Sequence, residues 1–365
     1  MSNPPKNEAV PEHGGDIYGL ARELGLPPEE LLDFSASINP LGFPPGLPAA
    51  LAHALAEVVH YPDRTCTALR RELAACHGLS PEQILVGNGS TELIYLLPRA
   101  LRPRRGLIVA PAFSEYEKAL RAAGAEVRWH LTREEEGFTL RGPLDSQGAE
   151  LVFLANPASP SGALLSPEEL SEQVRRLTAA GAVVVLDEAF IDFVEEASLK
   201  TSLPRCPRLV ILRSFTKFFG IPGLRLGYLL AAPELLAQVA RVQEPWSVGT
   251  LAQAAGRACL ADPAFMARTR EVVARERERL FEELAALPGL KPFPAQANYL
   301  LVKITVPGLS AARLRRRLLF RGLIIRDASN FTGLDERFFR VAVRTGPENQ
   351  RLVAALEEVL EEAWP

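Results

Sequence analysis

A chain of 365 residues is long enough for one large α/β domain and a smaller second one, and a hydrophobic fraction of 47% is ordinary for a globular protein. A formal net charge of −3 exerts no general pull on nucleic acid or on an anionic membrane, which argues against polyanion binding as the main activity. Cys66, Cys76, Cys206 and Cys259 show no paired spacing, so neither a disulfide framework nor a metal site is expected, and a reducing cytoplasm fits best.

The opening Met-Ser-Asn-Pro-Pro-Lys lacks the basic-then-apolar pattern of a secretory leader, and no later run is long and apolar enough to span a bilayer. A soluble, cytoplasmic protein with a mobile first dozen residues is the expectation. Order should begin near His13-Gly-Gly-Asp16, with a short amphipathic helix from Ile17 to Leu24. Leu32-Asp-Phe-Ser-Ala-Ser-Ile-Asn-Pro-Leu-Gly42 reads as an extended connector closed by Asn-Pro and glycine. Helical periodicity follows over Pro48 to Val59 and Thr67 to His77, with Tyr61-Pro-Asp-Arg64 as a tight turn between them.

From Ile84 the pattern alternates strand and helix. Ile84-Leu-Val-Gly-Asn88 is a short strand that reaches a glycine turn at Gly89, and Ser90 or Thr91 then opens a helix to about Ala100. Backbone amides and the positive helix end converge there, which suits a phosphate. Strands are expected at Leu107 to Ala110, Val127 to Leu131, Leu151 to Ala155 and Val183 to Asp187. Helices are expected from Pro111-Ala-Phe-Ser-Glu-Tyr116 to Gly124 and from Pro167 to about Ala180. This alternation predicts an α/β fold with a mostly parallel sheet covered on both faces, whose ligands bind at the carboxyl ends of the strands. A charged helix from Pro263 to Leu287 leads to strands near Asn298 to Ile304, Leu323 to Arg326 and Phe339 to Val343, with helices at Ser310 to Phe320 and Glu348 to Ala363. The expected division is an arm over residues 1–45 packed on the small domain, a large domain over 46–275 and a small α+β domain over 276–365.

Between Leu209 and Leu230 two apolar runs flank Ser214-Phe-Thr-Lys217 and Gly-Ile-Pro-Gly-Leu-Arg225. Only six of the 41 basic residues are lysines, so a lysine kept between two buried strands points to chemistry that arginine is too basic to perform. Condensation with an aldehyde is such a reaction, and Ser214 and Arg225 can hold the phosphate of an aldehyde cofactor. Asp187 at a neighbouring strand end can keep a ring nitrogen protonated, and Phe113 offers an aromatic wall. Together these describe a pocket for a flat, phosphorylated, aldehyde-bearing heterocycle.

With Ser-Phe-Thr-Lys-x5-Gly-x-Arg-x-Gly at 214–227 and Leu-Asp-Glu-Ala at 186–189, the chain resembles the fold type I pyridoxal phosphate enzymes from about His13 to its end. Its branch of that family holds the histidinol-phosphate aminotransferases and the threonine-phosphate decarboxylases. The resemblance implies that Lys217 condenses with pyridoxal 5'-phosphate and carries protons, and that Asp187 partners the pyridine nitrogen. Phe113 would stack on the ring, and Gly89, Ser90, Thr91, Ser214 and Arg225 would form the phosphate cup. It further implies a homodimer in which Tyr61 reaches the neighbouring active site. Two positions depart from the family pattern. Ser159, in Ser-Pro-Ser-Gly162, stands where an asparagine contacts the cofactor 3-hydroxyl, and Phe190 stands where aminotransferases often have a tyrosine. Losing two donors to that oxygen should raise the pKa of the lysine–cofactor adduct.

Within the branch, His13-Gly-Gly15, the Asp33 to Gly42 connector, Phe190, and Arg326 with Arg344 resemble the decarboxylases more than the aminotransferases. The expectation is therefore loss of carbon dioxide from L-threonine O-3-phosphate, giving (R)-1-amino-2-propanol O-2-phosphate for cobalamin biosynthesis. His13, Arg326 and Arg344 would hold the substrate phosphate, while Arg340 and the Asn39 loop orient its carboxylate. The alternative is an aminotransferase for histidinol phosphate or a similar phosphorylated amine.

Overall fold

The computed structural model describes residues 12–362. The expected mobile segment therefore lies, through residue 11, outside the described residues. The first strand, β1 (Leu32–Asp33), is an outlier whose partner comes from the far end of the chain. The seven strands of the main sheet are β2 (Ile84–Asn88), β3 (Arg105–Ala110), β4 (Glu126–Leu131), β5 (Leu151–Ala155), β6 (Val183–Asp187), β7 (Leu209–Ser214) and β8 (Leu226–Ala231). They run in spatial order β2-β8-β7-β6-β5-β3-β4. Every pairing is parallel except those of β8, which is antiparallel to both β2 and β7.

The central strands read as unbroken apolar runs because both faces of the sheet are covered. Val184, Leu186, Leu209 and Ile211 enter the core on one side, while Val183, Val185, Val210 and Leu212 enter the core on the other. Period-two geometry divides each strand's side chains between the two layers. The helix Pro167–Ala179 illustrates how a covering element is specified: Ser166 and Glu169 form a capping box, Pro167 sits in the first turn, and Leu170, Val174 and Leu177 face the core.

The C-terminal unit is a second sheet. It contains β9 (Leu290–Pro292), β10 (Tyr299–Ile304), β12 (Arg326–Asp327) and β13 (Phe338–Ala342), all antiparallel, in the order β12-β13-β10-β9. The single strand expected over Leu323 to Arg326 is in fact two. β11 (Leu323–Ile324) pairs in parallel with β1, and after the buried Ile325 the chain changes partner and continues as β12 on β13. The connector around Asp33 is thereby stitched to the small sheet. The helix Pro263–Ala286 runs through both units, with Phe265 and Val273 in the large core and Leu280 and Leu284 in the small one. No described helix is long and apolar enough to cross a membrane.

Candidate active site

Parallel neighbours β6 and β7 end side by side, and each delivers a polar group at its carboxyl end. The register pairs Asp187 with Leu212, so Asp187 stands beside the carboxyl end of β7, two residues before Ser214. Ser214 caps the one-turn helix Phe215–Phe218 by accepting from the Thr216 amide, and Lys217 is the third residue of that turn. The chain then needs glycine: at Gly220 φ is +63°, and a Cβ would stand 2.3 Å from the Gly42 carbonyl oxygen. Arg225 enters β8 with φ of +52°, a left-handed conformation that costs a non-glycine residue roughly 1–2 kcal/mol. That strain brings its guanidinium over Gly89, where a Cβ would lie 2.6 Å from Arg225 Nη2.

These ends open into a cavity of about 280 Å³ between the two sheets. Ser90, Thr91, Ser214 and Arg225 line one part of it, where the helix Gly89–Leu101 begins. Phe113, Asp187, Phe190 and Lys217 line the middle, and Ser159, Arg340, Arg326 and His13 line the side toward the small sheet. The backbone approach at Gly89 thus allows the cup and the arginine to meet.

Electrostatics in the cavity are set by burial. Lys217 is driven down to about 8 by desolvation first, and then by the charges of Arg340 and Arg225. Asp187 is 7% exposed, and burial raises its carboxyl against hydrogen bonds from Tyr116 and the Ala189 amide. No cation pairs with Asp187 among the described residues, and the Tyr116 hydroxyl donates to its Oδ2. A buried acid in this position lacks the positive partner that a protonated ring nitrogen would supply.

Opposite Lys217, Arg326 and Arg340 face each other across β12 and β13. Like charges directly opposed on a sheet destabilise it, so the pair calls for anions between or beside them. Burial lowers both, Arg326 to about 10, with the charge of Arg340 adding to the effect on Arg326. Arg340 lies over the Tyr299 ring at 4.8 Å and donates to Ser159 Oγ at 3.3 Å and the Ser35 carbonyl at 3.4 Å. Its buried Nε has no partner and no carboxylate pairs with it among the described residues. Arg326 donates to the Glu12 carbonyl at 2.6 Å and Asn330 Oδ1 at 2.7 Å, as well as to the Asp327 carbonyl. Ser159, expected near a cofactor oxygen, is thus also in contact with Arg340, and Phe190 packs edge-on against Tyr299 at 4.9 Å.

Two expected residues stand elsewhere, and Tyr61 is expected in the partner's site. Asn39 does not line the cavity: its Nδ2 is spent on the Phe218 carbonyl at 2.6 Å and Thr269 Oγ1 at 3.0 Å, and its own amide donates to the Lys217 carbonyl. It braces the lysine turn. Arg344 is likewise committed, to Glu348 at 2.8 Å and the Asp33 carbonyl at 3.1 Å, and lies outside the cavity. Tyr61 is 80% exposed and stacks on Trp246 at 4.7 Å, away from this chain's own cavity. Conversely, sequence reasoning missed Tyr116 and Tyr299. Tyr116 follows Phe113 by three residues at a helix start, a spacing that places both on one face.

The sequence pattern of the aminotransferase class I and II family matches residues 29–356. The chain is 41% identical to a threonine-phosphate decarboxylase of Salmonella typhimurium, over 95% of this chain and 96% of that protein. It is 34% identical to a histidinol-phosphate aminotransferase of Methanothermobacter thermautotrophicus, over 95% and 94%. Among solved structures, the L-threonine-O-3-phosphate decarboxylase of Porphyromonas gingivalis superposes with a TM-score of 0.83 at 31% identity, covering 90% of this chain and 99% of that one. With a family pattern matched across nearly its whole length and a strand-end lysine, acid and arginine in one cavity, the chain belongs to the aminotransferase class I and II family.

Proposed function

We propose that the protein binds pyridoxal 5'-phosphate and decarboxylates L-threonine O-3-phosphate to (R)-1-amino-2-propanol O-2-phosphate and carbon dioxide, a step in making a cobalamin side chain. The observation that carries this reading is the pair formed by the buried Arg326 and the half-buried Arg340, directly opposed on β12 and β13 within the cavity that holds Lys217. Two guanidiniums suit a small substrate with an anion at each end, one a phosphate and one a carboxylate. The 41% identical decarboxylase and the decarboxylase fold neighbour support it.

When bound, the cofactor supplies an electron sink for the pair left on Cα as carbon dioxide departs. The residues do the rest. Ser90, Thr91, Ser214 and Arg225 would hold the cofactor phosphate, and Phe113 would wall its ring. Asp187 would keep a proton on the ring nitrogen. Arg340 would grip the substrate carboxylate, and Arg326 with His13 its phosphate. Fixing both ends selects which bond at Cα stands out of the ring plane, so the carboxylate leaves and the α-hydrogen stays. Lys217, with an amine that gives up its proton near pH 8, can then return a proton to Cα where the carboxylate was lost.

We also assign the active unit as a cytoplasmic homodimer in which Tyr61 reaches its partner's cavity. Its exposed ring, stacked on Trp246, supports this. Incubation with L-threonine O-3-phosphate tests the activity. Carbon dioxide released without any keto acid is the expected result, and a stoichiometric need for 2-oxoglutarate would replace this reading with the aminotransferase.

A further inference from the structure

A buried carboxylate at the cavity mouth has no role in the reaction as described. Glu115, the second residue of the helix Ser114–Ala122, is 7% exposed. Its Oε1 accepts from His13 Nε2 at 2.9 Å and from Lys118 Nζ at 3.0 Å, and its Oε2 accepts from Tyr95 Oη at 2.7 Å. Burial works to raise this carboxyl, but the hydrogen bonds from Tyr95 and Lys118, with the charges of Lys118 and His13, hold it below the ordinary carboxylate value. Glu12, His13 and Glu115 present ligand atoms within 4.8 Å of one another, a spacing that would also suit a metal ion. Lys118 already takes that place, because its ammonium pairs with both Glu12 and Glu115.

What remains is the link to His13. The backbone on its far side is anchored: a Cβ on Gly14 would lie 2.2 Å from the Ser35 carbonyl oxygen, and the Gly15 amide donates to Ser35 Oγ at 2.9 Å. On its near side the Glu12 carbonyl accepts from Arg326. The imidazole itself is 45% exposed and touches the Phe113 ring at 5.5 Å, so its rotation is checked by Glu115 and Phe113.

We infer that Glu115 is a positioning residue for substrate phosphate, acting through His13. This rests on the reading of His13 as a phosphate contact. An ionised acceptor on Nε2 holds that N–H toward Glu115 and fixes the ring's orientation, so that with substrate phosphate bound Nδ1 carries the second proton and donates to a phosphate oxygen. Glu115 therefore does for His13 what a carboxylate does for a metal-binding histidine: it sets orientation without touching the ligand. Tyr95 and Lys118 in turn hold Glu115, so phosphate selectivity is built from the large domain, while Arg326 approaches the same mouth from the small sheet.

In the holoenzyme, Glu115→Gln is expected to raise KM for L-threonine O-3-phosphate roughly tenfold, the usual scale for losing an orienting partner. The same change should leave kcat within about twofold and add nothing in a His13→Ala background, because both substitutions remove one contact. Glu115→Asp, which keeps the charge, should recover part of the loss. Calorimetric titration of threonine phosphate into Lys217→Ala protein, with and without Glu115→Gln, reads the same roughly tenfold change in Kd without turnover. An unmoved KM or Kd, or a full extra loss on top of His13→Ala, overturns the inference. Should Glu115→Gln fail to fold, Tyr95→Phe decides: KM should rise in the single variant and stay put in the His13→Ala background, and an unmoved KM in the single variant overturns the inference. Wild-type enzyme that releases no carbon dioxide from threonine phosphate sinks the substrate reading. Wild-type turnover with an indifferent Glu115→Gln sinks the positioning role alone.

Discussion

Removing water from around an ammonium makes its proton easier to lose, and two neighbouring guanidiniums add to the effect at Lys217. The neutral amine is the form that condenses with an aldehyde. Cofactor-free protein mixed with pyridoxal phosphate should therefore form its visible band at a rate that climbs with pH through about 8 and levels off above it. Arg340→Met removes the larger of the two cationic contributions that add to burial, so the ammonium becomes less disfavoured and the midpoint should move to higher pH. A stopped-flow absorbance series across pH checks both. Ser159 permits a second residue-scale prediction. Ser159→Asn restores a donor where the family has one, and a donor to the cofactor oxygen favours its ionised form. The pH midpoint of the visible band should then fall by about one unit, equivalent to ~1.4 kcal/mol. A spectrophotometric titration that leaves the midpoint unchanged would mean that Ser159 serves Arg340 alone, through the 3.3 Å contact already present.

Elements matter here mainly through what braces them. The turn Phe215–Phe218 is a single turn of helix and cannot hold itself. Asn39 holds it from outside, with one side-chain bond to the Phe218 carbonyl and another to Thr269 on the long helix. Asn39→Ala should cost about 2 kcal/mol, from two buried hydrogen bonds and the groups left unpaired. It should also weaken cofactor retention, as read by thermal melting and by dialysis of the yellow protein. Most strands were legible because β6 and β7 open on unbroken apolar runs, Val183 to Leu186 and Leu209 to Leu212, and the helix Pro167–Ala179 because its cap and period agree. The helix Thr250–Leu260 was not anticipated. Gly256 inside it reads as a breaker, yet a Cβ there would stand 2.7 Å from Leu226 Cδ2, so glycine is present for close packing on β8. The break at Ile325 was equally hidden, since the apolar run from Leu323 passes into Arg326 with no turn residue between and only the different partners divide the two halves.

At the scale of the whole molecule, the cavity joins pieces separated by most of the chain: Glu12 and His13, the strand ends of the large sheet, and Arg326 and Arg340 of the small one. One expected contributor, Tyr61, points away from that cavity in its own chain. If it serves the partner, Tyr61→Ala and Lys217→Ala homodimers will each be nearly inactive. Unfolding and refolding an equal mixture should recover about a quarter of wild-type activity, because half of random dimers are mixed and each holds one intact site of two. Activity that stays at the level of the separate variants would place Tyr61 outside catalysis in either subunit.

The sequence by itself determined the layered α/β architecture, the lysine, the acid at the neighbouring strand end and the phosphate turn. Each is written locally, as an apolar run that stops, a glycine, or a rare lysine among arginines. Tertiary structure alone decided the fate of Asn39, Arg344 and Glu115, whose types are ordinary and whose neighbours lie far away in sequence. Asn39 and Arg344 are held by partners up to 311 residues distant, so they brace the fold, while Glu115 meets His13 across 102 residues. A side chain's role follows from which polar groups it must satisfy once water is gone, and that is settled only when the chain has closed.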